Sequence, residues 1–218
     1  RGLLNLMEAG TGQGLRKVLF ASTGGAIYGE PEYTPQDEKH PLRPVSPYGV
    51  AKLAAEKYLH YYQAQHEMET VSLRYANVYG PRQNPDGEAG VVAIFTNEML
   101  RGGQPVINGS GEQTRDYVYV GDVVEANLAA LKCEGSGTFN VGTGRETSVT
   151  ELFRALRAET GADLDEAHGP AKPGEQQRSV LGYERAEEKL GWVPRVSVEE
   201  GLARTVDWFE TRRESEVS

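Results

Sequence analysis

An α/β architecture built on a parallel sheet follows from three features of this chain. Lys17-Val18-Leu19-Phe20-Ala21 is a short, near-continuous apolar run of the kind found in strands covered on both faces. Thr70-Val71-Ser72-Leu73-Arg74-Tyr75 reads as a second strand, and a helical stretch from Tyr48 to His66 separates the two. Strand, helix and strand at this distance form a βαβ unit, which implies a right-handed crossover and parallel pairing. With 218 residues, 38% of them hydrophobic, the chain can bury a sizeable core as one large domain or two interleaved ones.

The elements follow in order. Arg1 to Ala9 carries apolar residues at helical spacing, so a helix is already under way at the first residue. After the first strand, Ser46 offers an N-cap hydroxyl and Pro47 fits the first helical position, which starts the helix that runs on to His66. Beyond Gly80-Pro81 lies a loop rich in Asn, Pro, Asp and Gly, then a helix from Val91 to Arg101. Short strands, Pro105-Val106-Ile107 and Tyr117-Val118-Tyr119-Val120, flank the turn-forming Asn108-Gly109-Ser110-Gly111. A helix from Val123 to Lys132, a strand from Thr138 to Val141 and a helix from Val149 to Thr160 add further layers. A proline-rich loop, a short helix before Leu190-Gly191-Trp192 and an amphipathic helix from Val198 to Arg212 complete the chain.

Composition narrows the function. A formal net charge of −9 argues against a nucleic-acid surface, because phosphate binding relies on clustered Lys and Arg. No apolar run reaches the roughly 20 residues of a membrane helix, and the start lacks the pattern of a cleavable signal, so a soluble, cytoplasmic protein is expected. The four histidines are scattered and no metal site is expected; Cys133 reads as a small core residue.

The chemistry is carried by Tyr48 and Lys52. Four apart on a helix, they lie on one face, which sets an ammonium beside a phenol. A nearby positive charge favours the phenolate, so the pair suits a general base that takes a proton from a hydroxyl. The strand ending in Ala21-Ser22-Thr23 points its hydroxyls to the same carboxyl edge of a parallel sheet, where such folds bind ligands. Read structurally instead, Thr23 is a strand-end hydroxyl bonded to local backbone, and Tyr48 and Lys52 are a half-buried phenol and a solvated cation.

Taken together, Thr23, Ile27-Tyr28-Gly29-Glu30, Ser46-Pro47-Tyr48 with Lys52, the segment from Leu73 to Arg82, and Arg115-Asp116-Tyr117-Val118-Tyr119-Val120 resemble the extended short-chain dehydrogenase/reductase family. Within it the likeness is greatest to the UDP-glucose 4-epimerases and related NAD-dependent nucleotide-sugar epimerases, and it covers nearly the whole chain. The resemblance implies the C-terminal part of a Rossmann-like, doubly wound parallel sheet interleaved with a small α/β substrate domain. Residues 1–84, with 113–145 returning to them, would form the cofactor part; 85–112 and 146–218 would be mainly the substrate domain.

Residue by residue, the resemblance implies Tyr48 as acid/base, Lys52 as its cation and a ligand of the nicotinamide ribose, and Thr23 as partner of the reacting hydroxyl, with Ser22 competing for that role. Ala21, Ser22 and Tyr75 would lie against NAD. Asn77, Val91, Val92, Arg115, Lys172 and Glu175 would hold the UDP-sugar; a planar guanidinium at 115 suits a diphosphate, while Lys172 stands where many relatives carry Arg. The related dehydratases carry Asp-Glu after the active-site Thr, and here Gly24-Gly25 follows, which favours hydride removal at C4 and its return to the opposite face. The helices 1–10 and 48–66 resemble those of the family's homodimer. Which sugar is taken rests on pocket width, set by loops such as residues 83–89.

A Gly-rich dinucleotide turn is expected ahead of these elements and is not in the chain. Gly10-Thr11-Gly12-Gln13-Gly14 is no substitute, because it follows a helix and precedes a strand. The expectation is an N-terminal portion of about 90 residues at about 30 per βαβ unit, without which NAD binding would be weak. The alternative is a non-catalytic nucleotide-sugar-binding or interaction module, or another nucleotide-sugar-modifying member of the same family.

Overall fold

The computed structural model describes residues 1–86 and 90–217; residues 87–89 of the loop named above lie outside the described residues. Helix α1 (Gly2–Thr11) leads to strand β1 (Lys17–Thr23), a single helical turn α2 (Gly24–Ile27), and the long helix α3 (Pro47–His66). Strands β2 (Glu69–Tyr75) and β3 (Asn77–Tyr79) follow, then α4 (Val91–Leu100), β4 (Val106–Asn108), β5 (Thr114–Arg115) and β6 (Tyr117–Tyr119). The rest is α5 (Val120–Lys132), β7 (Gly137–Val141), β8 (Thr147–Ser148), α6 (Val149–Thr160), β9 (Ala167–Gly169), α7 (Glu184–Leu190) and α8 (Val198–Val217).

The expected α/β fold with a parallel sheet is present. β1, β2 and β7 pair in that order, all parallel, with α3 as the crossover between the first two. In register, Ser22, Arg74 and Asn140 form one row across the three strands, and Thr23, Tyr75 and Val141 the next. Successive side chains on a strand point to opposite faces, so these two rows serve opposite sides of the sheet. β3 pairs in parallel with β6, β4 with β9, and β5 pairs antiparallel with β8.

α3 starts as its sequence predicts: the Ser46 hydroxyl accepts the backbone N–H of Gly49 at 3.1 Å and Pro47 opens the helix. Other boundaries moved. α5 begins at Val120 instead of Val123, and its first-turn Asp122 accepts the N–H groups of Arg195 and Val196 and ties the helix to the segment before α8.

Two apolar clusters support these layers. Val71, Leu73, Phe139 and Val141 of the sheet pack with Val123 and Ala126 of α5 and with Ala186 and Trp192. Tyr79, Phe95, Tyr117, Phe153, Leu156 and Leu202 belong to a second, built mainly on α4, α6 and α8. Cys133, expected in a core, is half-buried at the rim of the first cluster, where α5 ends. No helix among the described residues is long and apolar enough to cross a membrane, and no group of three His, Cys, Asp or Glu among them is placed to hold a metal ion.

Candidate functional site

β1 and β2 end level with each other at Thr23 and Tyr75, on the carboxyl edge where open α/β sheets form their ligand crevice. The N-terminus of α3 is drawn against α2 because residue 49 has no side chain. A Cβ there would overlap the carbonyl oxygen of Ala26 and lie 2.9 Å from Pro44 Cβ. Tyr48 is thereby presented at the surface, 55% exposed.

One turn on, the Lys52 ammonium stands 5.7 Å from the centre of the Tyr48 ring and 4.9 Å from that of Phe20, and donates to the carbonyl oxygen of Ala21 at 2.6 Å. A lysine ammonium has three donors, so two remain for other acceptors. Ala21, Tyr48 and Lys52 therefore form one cluster, with a cation fixed between the strand end and the phenol. Such a cluster is equipped to move a proton and to bind vicinal hydroxyls, as the nicotinamide ribose of NAD presents.

The two competing hydroxyls have different surroundings. Ser22 is 3% exposed and donates to Glu56 Oε1 at 2.6 Å, on the face of the sheet covered by α3. Thr23, half-buried in extended backbone, makes no capping bond with the α2 turn that follows it. Tyr75 is half-buried, its hydroxyl donates to Asn127 Oδ1 at 2.9 Å, and burial raises its phenol.

Gly24 and Gly25 differ in the space around them. A Cβ at 24 would overlap the side chain of Leu181, whereas one at 25 would sit in ordinary contact with Asn77 Oδ1 at 3.6 Å and Ser179 Oγ at 3.8 Å. Asn77 is exposed, and its backbone N–H donates to the carbonyl of Asp116 at 2.8 Å.

A second cluster joins Arg115 and Glu175, 3.4 Å apart, with Arg115 also donating to the Thr114 carbonyl at 2.8 Å. The acidic residues nearest Arg115 in sequence, Asp116 and Glu112, do not pair with it. Asp116 is buried and accepts from Thr143, Gly144 and Leu181; burial pushes its carboxyl up to about 6 while these donors pull it down. Lys172 is exposed, and its carbonyl accepts from Glu175 N–H at 3.3 Å. Val91 and Val92 open α4 behind Gly90, which supplies no side-chain cap, so the first-turn N–H groups lack one. A cavity of about 550 Å³ among Thr143, Arg145, Leu152, Pro194 and Glu199 contains none of the residues singled out by sequence.

Sequence reasoning missed Glu56, Asn140 and Leu181, and quoted Tyr28 without giving it a role. For Glu56 a signal existed: it follows Lys52 by four residues, as Lys52 follows Tyr48, and so shares their face of α3.

Comparison with known proteins gives the family. Residues 1–142 match the model of the NAD dependent epimerase/dehydratase family. The UDP-glucose 4-epimerase of Mycolicibacterium smegmatis is 45% identical over 212 residues, covering 97% of this chain and 68% of that protein. The crystal structure of UDP-glucose 4-epimerase from Thermotoga maritima with UDP-glucose is 50% identical, with a TM-score of 0.95 over 97% of this chain and 69% of that one. The Thermus thermophilus UDP-glucose 4-epimerase in complex with NAD is 45% identical, with a TM-score of 0.88 over 96% of this chain and 68% of that one. A family match over residues 1–142 and relatives at these levels mean that the chain belongs to the NAD dependent epimerase/dehydratase family.

Proposed function

We propose that the protein is an NAD-dependent nucleotide-sugar 4-epimerase that interconverts UDP-glucose and UDP-galactose. The observation that carries this reading is the cluster of Lys52, Tyr48 and the Ala21 carbonyl at the carboxyl edge of the sheet. The two free donors of Lys52 and the half-buried ring of Tyr75 fit the nicotinamide end of NAD. NAD, when bound, supplies the acceptor and then the donor of a hydride.

Tyr48 takes the proton of the sugar's C4 hydroxyl as that carbon is oxidised, and returns it when the 4-keto sugar is reduced on its opposite face. Lys52 stabilises the phenolate during that interval. Thr23 is the better candidate than Ser22 for holding the C4 oxygen, since the Ser22 hydroxyl is spent on Glu56. Elimination of water is disfavoured: Leu181 fills the space that a side chain at 24 would need, and Gly25 has none to move a proton. Arg115, Glu175, Lys172, Asn77 and the N-terminus of α4 at Val91 and Val92 would hold the nucleoside diphosphate, with 85–112 and 146–218 as the substrate domain and 1–84 with 113–145 as the cofactor domain.

The same reading includes a cytoplasmic homodimer. Leu6 of α1 and Val50, Tyr58 and Tyr61 of α3 are large apolar residues with about half or more of their surface exposed, which suits pairing of these helices between two copies. Sedimentation at micromolar concentration checks the dimer, and a monomer only would exclude it; activity confined to a membrane or periplasmic fraction would exclude the location. For the reaction, the NAD-loaded enzyme is expected to equilibrate the two UDP-sugars, and Tyr48→Phe to lower kcat by about 10²–10⁴-fold, the range of a general acid/base. Turnover of Tyr48→Phe at the wild-type rate would remove Tyr48 from the mechanism.

A further inference from the structure

Beneath the site lies a buried polar row that the mechanism above does not use. Glu56 Oε1 accepts from Ser22 Oγ at 2.6 Å and from Arg74 Nε at 3.0 Å, and Oε2 accepts from Arg74 Nη2 at 2.7 Å. Arg74 Nη1 donates to the Tyr28 hydroxyl at 2.8 Å, which donates in turn to Asn140 Oδ1 at 2.7 Å. Ser22, Arg74 and Asn140 come from β1, β2 and β7, Tyr28 follows α2, and Glu56 comes from α3. All five are buried, and burial pushes the Tyr28 phenol up to about 12 even with Arg74 beside it.

Stability alone is a poor reason for such a cluster, because well-packed apolar residues often replace a buried ion pair at no cost. Its placement offers a better one. Three of its five members neighbour a site residue: Ser22 precedes Thr23, Arg74 precedes Tyr75, and Glu56 stands one turn from Lys52. The large apolar side chains that α3 buries fully, Leu59 and Tyr62, lie in its C-terminal half. In the half that carries Tyr48 and Lys52, the fully buried residues are Gly49 and Glu56, and Leu53 is only half-buried. Apolar contact in that half is limited to Leu53 beside Ile27, Tyr28 and Leu181 and to the close approach of Gly49 to Ala26, so directional bonds carry much of its register.

We infer that Glu56, gripped by Ser22 and Arg74, is a positioning residue that sets the register of α3 against β1, so that Lys52 rests on the Ala21 carbonyl and Tyr48 is held at the end of the strand that carries Thr23. This rests on the assignment of Tyr48 and Lys52 as the acid/base pair. The directional bonds fix a register that a greasy contact would not, and they do so from strand and helix positions one residue or one turn away from the reacting groups.

The test is Ser22→Ala, which removes one bond from the grip and leaves the ion pair whole; Glu56→Ala would strand the buried Arg74 and risks not folding. In the NAD-loaded enzyme, Ser22→Ala is expected to lower kcat about tenfold or more with KM within about twofold, since displacement by about 1 Å can cost 10²-fold. Backbone hydrogen exchange over residues 47–53 is expected to quicken, roughly threefold, while exchange in α6 and α8 stays as in wild type. Ser22→Thr, which restores the hydroxyl, is expected to recover both. A Ser22→Ala enzyme with unchanged kcat, or with exchange over 47–53 unchanged, overturns the positioning role and leaves the acid/base assignment standing. A wild-type enzyme that does not epimerise overturns that assignment instead, while the exchange result still reports on the grip.

Discussion

Arg74 gives Glu56 two bonds, of 3.0 and 2.7 Å, and Tyr28 a third, whereas Arg115 reaches Glu175 through a single contact of 3.4 Å. The side chains of the first pair are 6% and 8% exposed, and those of the second 16% and 26%. A guanidinium carries five N–H donors in a planar fork. In Arg74 the fork is largely consumed by neighbours that belong to the framework. In Arg115 one donor is on the Thr114 carbonyl and one reaches Glu175, so donors remain that a phosphate can take. The same pairing of residue types is thus closed in one place, where it joins helix to sheet, and open in the other, where donors are left over.

The sharpest way to break this contrast is Arg74→Ala. It leaves the Glu56 carboxylate and Tyr28 hydroxyl buried without their partner, which costs about 3–5 kcal/mol for a buried pair opened on one side. Thermal unfolding is expected to fall by roughly 10 °C for a chain of this size. UDP binding measured well below that transition should stay close to wild type, since Arg74 lies on the face of the sheet covered by α3. A melting point within about a degree of wild type would mean that the pair does not hold the framework.

Arg115→Ala reverses the readouts. Hydrogen bonds to charged groups contribute about 1.5–3 kcal/mol each, so the dissociation constant for UDP is expected to rise roughly 10- to 100-fold by calorimetry. The melting temperature should barely move, because a partly exposed pair contributes at most about 1 kcal/mol. Unchanged UDP affinity would remove Arg115 from the nucleotide site.

These two arginines also mark how far the sequence could be read. The N-cap at Ser46, the proline at 47 and the spacing of Tyr48 and Lys52 are local signals, and the structure repeats them. α2 has four residues, two of them glycine, and β3, β8 and β9 have two or three residues each; none is long enough to show a period. Partners distant in sequence were the other gap. Glu175 lies 60 residues beyond Arg115, whereas Asp116 and Glu112 are the acids that lie near it in sequence. Asp116 is occupied instead by the chain at Thr143 and Leu181. The grip of Glu56 on Ser22 and Arg74 is likewise a product of βαβ packing: helix spacing puts Glu56 beneath Lys52, but only the sheet register brings both partners to it.

The smallest expected effect comes from the open pair itself. Glu175→Gln keeps the shape and an acceptor oxygen for Arg115 but removes the charge, at a cost under about 1 kcal/mol of stability for a contact this long and partly wet. Its effect on ligand binding separates two uses of the carboxylate. If Glu175 serves the nucleotide ribose, as its place beside Arg115 supports, UDP should bind more weakly to the variant while inorganic pyrophosphate, which has no ribose, binds as well as before or better, because the guanidinium no longer has an anion to leave. Weaker binding of both would make Glu175 a brace that orients Arg115. In that case the looseness of the pair would reflect a guanidinium waiting in place for phosphate, and the comparison with Arg74 would narrow to a difference in solvent access alone.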